Sequence, residues 1–282
     1  MDFTKMQGAG NDYVVIGPRH PACDWSRLAV RMCDRHYGVG ADGLLIVGPS
    51  EAADFRMRMF NPDGSEAEMC GNGIRCFAKY VIDEGLAPGE RTDLAIETQA
   101  GLHAVSARIE GGAVSSVRVG MGTPRFAAEQ IPVAASGLER VVDHPLDVDG
   151  DRFLVTCLSV GNPHAVTFVD RPVVELPLER IGPIVEHHPF FPNRVNFEVV
   201  QVHDRARMSV RVWERGVGET LACGTGACAV AVAARVKGLT DGAVEIALPG
   251  GTLQVEWDGK GEVWMEGPAE TVFKGVWPDE DR

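Results

Sequence analysis

An α+β fold built from two related halves is the architecture this sequence predicts. Three observations carry it. The 33 glycines and 17 prolines punctuate many short apolar runs of strand character. Helical patterns are few. One stretch of the chain also recurs, without a gap, 153 positions further on.

In chain order, the strand-like runs are Tyr13–Ile16, Leu44–Val47, Val117–Val119, Phe153–Leu158, Ala165–Val169, Val195–Val202, Met208–Trp213 and Thr252–Trp257. Helical spacing appears at Ser26–Tyr37, Ile74–Glu84, Pro177–His187 and Ala227–Lys237. Many strands with few helices favour the α+β class. The stretch Gly120–Pro124 is the expected crossover between the halves, because it carries both glycine and proline.

The repeat lays Arg58–Gly85 on Arg211–Gly238. Identities fall at Arg58/Arg211, Glu66/Glu219, Cys70/Cys223, Gly71/Gly224, Gly73/Gly226, Ala78/Ala231 and Gly85/Gly238. Three of these lie within one four-residue motif, CGNG against CGTG. A fainter echo pairs Gly10-Asn11 with Gly161-Asn162. Each copy runs from a strand-like segment (FRMRMF, MSVRVW) through a polar loop to Cys-Gly-x-Gly and then a helix. Both helices are apolar around most of their circumference and should be largely buried. Gly85 and Gly238 are the expected C′ residues.

Composition sets the outer limits. The 27 basic against 40 acidic residues give a formal charge of −13. That balance argues against a nucleic-acid backbone or an anionic membrane as partner. It places no restriction on a small zwitterionic substrate. No apolar run reaches membrane-spanning length and the N-terminus has no signal-peptide pattern, so a cytoplasmic location is expected. Seven cysteines form no regular framework in a chain of 282 residues, so reduced thiols are expected. Cys23, Cys33 and Cys157 read as small buried hydrophobes.

Cys70 and Cys223 read differently, because both stand at a helix start. There the first backbone N–H groups and the helix dipole stabilise a thiolate and also bind a carboxylate. Equivalent cysteines from two halves, facing a shared cleft, suit proton transfer at one carbon. A thiolate removes a proton from one face while a thiol delivers one to the other. Two helix N-termini would support the charge that develops. The rival readings are a metal site, a redox dithiol and a non-catalytic module with structural cysteines. Cys70-x5-Cys76 and Cys223-x4-Cys228 lack the short spacing of zinc knuckles, and Cys76 and Cys228 fall within apolar helices. There is no Cys-x-x-Cys, and the phosphate and dinucleotide fingerprints are absent. Neither metal nor cofactor is expected.

The chain resembles the diaminopimelate epimerases. The resemblance rests on KMQGAGNDYVVI, RHYGVGADGLLI, FNPDGSEAEMCGNGIRCFAKYV, VGNPHAV, FPNRVNFEVV and VRVWERGVGETLACGTGACAVAV. Proline racemases and hydroxyproline epimerases share the two-cysteine plan but typically carry histidine where this chain has Asn72. They remain the alternative within the class.

The resemblance implies interconversion of LL- and meso-2,6-diaminopimelate without cofactor, on the route to lysine and peptidoglycan. It implies a homodimer whose two halves each wrap a mostly antiparallel sheet around a central helix. The halves are expected at 1–122 and 123–267, with 268–282 packing back on the first. It further implies that Cys70 and Cys223 are the acid/base pair. Gly71, Asn72, Gly224 and Thr225 would offer N–H groups to the reacting carboxylate, with Asn11 near that end. Asn61, Asn162, Asn196, Glu214 and Arg215 would hold the substrate, chiefly its distal end. His164 and Glu214 match positions that tune the cysteines. Gly43 departs from the pattern, since some relatives place a glutamine there against the substrate.

Overall fold

The computed structural model describes residues 1–20, 23–89, 91–135 and 137–278. The chain divides into two compact units, Met1–Gly120 together with the segment from Glu266 onward, and Met121–Met265. The first contains β1 (Asp2–Gly8), β2 (Asn11–Ile16), α1 (Trp25–Cys33), β3 (Gly43–Gly48) and β4 (Phe55–Phe60). It continues with β5 (Glu66–Ala67), α2 (Gly71–Asp83), β6 (Asp93–Thr98), β7 (Gly101–Glu110) and β8 (Ala113–Gly120). The second unit contains β9 (Val141–Val148), β10 (Asp151–Ser159), β11 (Pro163–Val169), α3 (Leu178–Glu186) and β12 (Asn196–Asp204). Then follow β13 (Arg207–Glu214), β14 (Gly218–Thr220), α4 (Gly224–Val236), β15 (Ala243–Leu248) and β16 (Gly251–Glu256). β17 (Trp264–Pro268) carries the chain across the boundary, and β18 (Glu270–Val276) belongs to the first unit.

The two units repeat one topology. In the first, β1 pairs antiparallel with β2, β2 parallel with β3, β3 antiparallel with β4, and β4 parallel with β6. In the second, β10, β11, β12, β13 and β15 pair in the same order and the same senses. The short strands β5 and β14 add to β4 and β13. α2 packs against β1 to β4 and also β7 and β8, which lie toward opposite ends of the strand order. A sheet that touches one helix from both ends has curled around it. α4 likewise packs against β10 to β12 and β15 and β16. This is the α+β architecture expected from the sequence.

The identities of the repeat have visible roles. Arg58 grips Glu66 with two hydrogen bonds, of 2.7 and 2.8 Å. Arg211 grips Glu219 with the same atoms at the same distances. Such forked pairs tie β4 to β5 and β13 to β14, the loops that lead to the cysteines. Gly85 and Gly238 adopt φ of +65° and +71°. At α2, Gly85 N–H reaches Ile82 O and Leu86 N–H reaches Val81 O; at α4, Gly238 reaches Arg235 and Leu239 reaches Ala234. Both helices therefore end in the same left-handed glycine cap.

Two expectations need correction. The helical pattern Ser26–Tyr37 stops at Cys33, because Asp34 bends the chain by accepting the backbone N–H groups of His36 and Tyr37. The N–H groups of Val39, Gly40 and Ala41 then bond the carbonyls of Met32 and Cys33. Cys33 and Cys157 are buried as expected, but Cys23 is only half-buried.

In the first unit, β18 runs antiparallel to β1, and Met1 and Trp277 exchange backbone hydrogen bonds. The fully buried Arg75 of α2 also donates to Pro268 O at 3.2 Å.

In the second unit, Gly182 of α3 faces Trp213. A Cβ at Gly182 would lie 2.4 to 2.6 Å from atoms of the indole ring. The ring cannot step aside easily, because its N–H donates to Glu186 Oε2 at 2.8 Å. Gly182→Ala gains about 1 kcal/mol of helix propensity but should lose more, about 1–3 kcal/mol, to overpacking. A lower urea midpoint is expected, and an unchanged or raised midpoint would show that the contact is soft.

Candidate active site

Cys70 is the N-cap of α2 and Cys223 the N-cap of α4. In each case Sγ accepts the N–H of the glycine three residues on, Gly73 or Gly226, at 3.4 Å. The cap carbonyls accept from Ile74 and Ala227, both at 2.9 Å, which starts the helical ladder. Cys-Gly-x-Gly makes this possible. A Cβ on Gly73 would lie 3.3 Å from Cys70 Cβ, and one on Gly226 3.2 Å from Cys223 Cβ. Gly71, Asn72, Gly224 and Thr225 form the first turns, with N–H groups at the positively polarised helix ends.

In the first unit, the side-chain amide of Asn72 donates to Asn11 Oδ1. Asn11 in turn donates to Asp42 Oδ2 at 3.2 Å. Asp42 also receives the backbone N–H of Asp12 and the guanidinium of Arg35. Burial acts to raise the Asp12 pKa, but Arg35 and Lys5 outweigh it and bring the carboxyl to about 2. The bond to Asp42, itself held by Arg35, thus fixes which way the Asn11 amide points. Asn61 is engaged elsewhere, its side chain donating to Ser65 Oγ of its own turn at 3.0 Å. Gly43 is buried at the start of β3, where a Cβ would meet Met59 Cε at 3.0 Å and Phe60 O at 3.2 Å. The end of the Met59 side chain thus packs against Gly43.

The second unit repeats the arrangement with different groups. Asn162 donates to Thr225 Oγ1 at 3.2 Å, as Asn72 and Asn11 are joined in the first. Its carbonyl oxygen lies 2.8 Å from His164 Nε2, and His164 Nδ1 lies 2.7 Å from Glu198 Oε1. His164 and Glu198 are both completely buried. Asn196 orders the neighbouring turn: Oδ1 accepts the N–H of Arg215 at 2.8 Å and Nδ2 donates to Pro163 O at 3.0 Å. Glu214 accepts from Thr220 Oγ1 at 2.6 Å, and the exposed Arg215 side chain reaches Asn193 O at 3.3 Å.

A helix N-terminus favours a thiolate, which is the expectation for both cysteines. At Cys223 that effect loses. Burial pushes its pKa well above the usual thiol value, and the negative charges of Glu214 and Glu198 push the same way. Hydrogen bonds from Thr225 and Gly226 pull it down, but not far enough. Cys223 therefore holds its proton. Glu198 is itself raised by burial, with His164 opposing.

Two residues, one beside each cysteine, escaped the sequence reading. Glu198 is one, a carboxylate in the middle of an apolar strand; that misplaced charge was the available signal. Tyr13 is the other, its hydroxyl oxygen 3.0 Å from Cys70 Sγ. Nothing in YVVI distinguished it from an ordinary strand aromatic. Among the described residues, no group of three His, Cys, Asp or Glu side chains is placed to hold a metal ion. None of their helices is long and apolar enough to cross a membrane.

The family model for diaminopimelate epimerase matches residues 3–127 and 156–272. The chain belongs to the diaminopimelate epimerase family. It is an epimerase, an isomerase by reaction class. The diaminopimelate epimerase of Moorella thermoacetica is 51% identical over 281 residues, spanning 99% of each chain. That of Acetivibrio thermocellus is 49% identical over 98% of each. Among solved structures, a hydroxyproline epimerase from Agrobacterium vitis superposes with a TM-score of 0.69 at 15% identity, covering 98% of this chain and 91% of that one. A PhzF-family phenazine biosynthesis protein of Bacillus anthracis gives 0.67 at 19% identity over 98% of each. These likenesses show a shared fold.

The charges beside Cys223 predict its reactivity. Alkylation of Cys223 by iodoacetamide, read by peptide mass spectrometry, should still accelerate above pH 9.0, the ordinary thiol value. Glu214→Gln removes a negative charge and should move that profile to lower pH. An unmoved profile would mean that Glu214 does not act on this sulfur.

Proposed function

We propose that this chain interconverts LL- and meso-diaminopimelate by two-base proton transfer, in the supply of lysine and peptidoglycan precursors. The observation that carries the reading is the duplicated cysteine N-cap, in a chain half identical to proteins named for this reaction. One sulfur, as thiolate, takes the α-proton. The other, as thiol, gives a proton to the opposite face of the same carbon. Charge that builds on the α-carbon spreads into the adjoining carboxylate. The first-turn N–H groups of Gly71, Asn72, Gly224 and Thr225 stabilise it there. Because acid and base are the same kind of group, the reaction runs both ways with the roles exchanged. Neither metal nor cofactor takes part in this scheme. We propose a cytoplasmic homodimer as the working form, as the family resemblance implies.

The distal end of the substrate carries a second ammonium and a second carboxylate. Glu214 suits the ammonium and Arg215 the carboxylate. Asn61, Asn162 and Asn196 are proposed to complete this recognition, Asn196 partly by holding the Arg215 backbone. A proline-type racemase would have no use for a charged distal subsite, so substrate preference separates the two readings.

Two measurements test the proposal. In heavy water, LL-substrate should give product deuterated at the inverted carbon while unreacted substrate stays largely protiated. Cys70→Ser and Cys223→Ser should each reduce inversion severely. Near wild-type turnover in either variant would remove that cysteine from the acid/base pair. For specificity, lysine lacks the distal carboxylate and should be a very poor substrate, and Arg215→Met should lower kcat/KM for diaminopimelate by 10-fold or more, as an order of magnitude. Equal turnover of lysine and diaminopimelate, or preference for proline, would overturn the distal pocket.

A further inference from the structure

The two cysteine sites are built alike but are not equivalent, and the difference lies in what packs beneath each helix start. Tyr13 lies two residues after Gly10-Asn11, and His164 two residues after Gly161-Asn162. Each stands on the strand that pairs in parallel with its neighbour, Tyr13 opposite Gly43 and His164 opposite Asn196. Two positions further along those neighbours stand Leu45 and Glu198. Both press on the first turn of the adjoining helix: a Cβ on Gly73 would meet Leu45 Cδ2 at 3.4 Å, and one on Gly226 would meet Glu198 Oε1 at 3.0 Å. In the second unit the ring His164 is occupied by Glu198 and Asn162. In the first unit the ring Tyr13 has no carboxylate at the matching place, and its hydroxyl comes within 3.0 Å of Cys70 Sγ.

We propose that Tyr13 is a positioning residue for Cys70, donating its phenolic hydrogen to Sγ and so making Cys70 the thiolate of the resting enzyme. This deepens the two-base reading and rests on it. A thiolate can only accept, so a hydrogen bond between these atoms must then run from the phenol to the sulfur. The phenol keeps its proton at working pH, since burial and the neighbouring Cys70 raise its pKa well above the ordinary tyrosine value. The other groups acting on Tyr13 are Cys76 of α2 and Asp42 of the turn before β3. Asp42 is bound to Arg35, and the charge of Arg75 lies near Cys76. Cys76 is a thiol, pushed up to about 12 by burial. With Cys223 holding its proton in the second unit, the resting pair is Cys70 as base and Cys223 as acid. Identical sulfurs are thereby set to opposite protonation states before substrate arrives.

Tyr13→Phe removes the hydroxyl and keeps the buried ring. The readout is the pH profile of iodoacetamide alkylation of Cys70 in the full-length protein, resolved by peptide mass spectrometry. Unchanged protection of Cys76 and Cys157 reports an intact fold. Losing a hydrogen bond to a charged sulfur should raise the midpoint for Cys70 by about one pH unit and shift the acid limb of kcat/KM in the same sense. 3-Fluorotyrosine at position 13, nearly the same size and a stronger donor, should bring the midpoint to or below that of the unsubstituted protein. It also keeps the test decisive if the phenylalanine variant misfolds. A midpoint that does not move, or that falls in Tyr13→Phe, overturns the proposal; a fall would mean that the thiol donates to the phenol. Failure of the two-base reading looks different, as retained inversion in Cys70→Ser whatever the Tyr13 profiles show.

Discussion

Every α-helix begins with N–H groups that have no carbonyl within the helix, and a helix starting inside a protein must find them acceptors. In both units of this chain one such group is met by a cysteine sulfur, taking the N–H of a glycine three residues on. The remaining N–H groups of that turn keep their polarity directed at whatever sits before the helix. The rest of the architecture supports this arrangement. The curled sheet buries the helix, so that its ends stay fixed. The forked Arg–Glu pairs hold the incoming loop, and the glycine caps close the far end. Almost every identity in the internal repeat belongs to one of these three supports or to the cap itself.

Duplication supplies two like sulfurs, whereas the proposed proton transfer by two bases needs them unlike. The environment provides that difference. Around Cys223, burial and two carboxylates oppose the helix end and keep the proton on sulfur. Around Cys70 stands a phenol with a hydrocarbon side chain, Leu45, where the other unit has Glu198. A fully buried carboxylate facing a fully buried imidazole is costly to maintain, and such groups cluster at functional sites. One oxygen of Glu198 is buried without a hydrogen-bond partner, which suits a carboxyl whose pKa is raised.

The turn that carries Glu214 and Arg215 is held by hydrogen bonds from two neighbouring elements. Glu186 at the end of α3 accepts the Trp213 indole N–H and the Gly216 backbone N–H. It thereby pins the residues on either side of Glu214–Arg215. Asn196 holds the Arg215 backbone. The Arg215 side chain is exposed and reaches outward while its backbone stays anchored.

The repeat, the glycine punctuation and the apolar helices were legible in the linear chain because each obeys a local rule. A duplicated Cys-Gly-x-Gly before a helix specifies an N-cap, a glycine after the helix specifies a left-handed stop, and alternating short runs specify strands. The family motifs pointed further, to Asn11, Asn72, Asn162, Asn196, Glu214 and Arg215 as candidates for holding substrate. Local rules failed at α1, where the apolar spacing continued past Cys33 but the Asp34 side chain captured the backbone first. They also could not show that Asn61 bonds within its own turn, or that Met59 packs against Gly43. Above all, the sequence by itself determined that two cysteines begin two buried helices, since that depends on residues adjacent in the chain. Only the tertiary structure decided that Tyr13 meets Cys70 and that Glu198 lies under Cys223. Those neighbours come from strands 57 and 25 positions away, and protonation answers to the field of whatever folding brings close, not to sequence order.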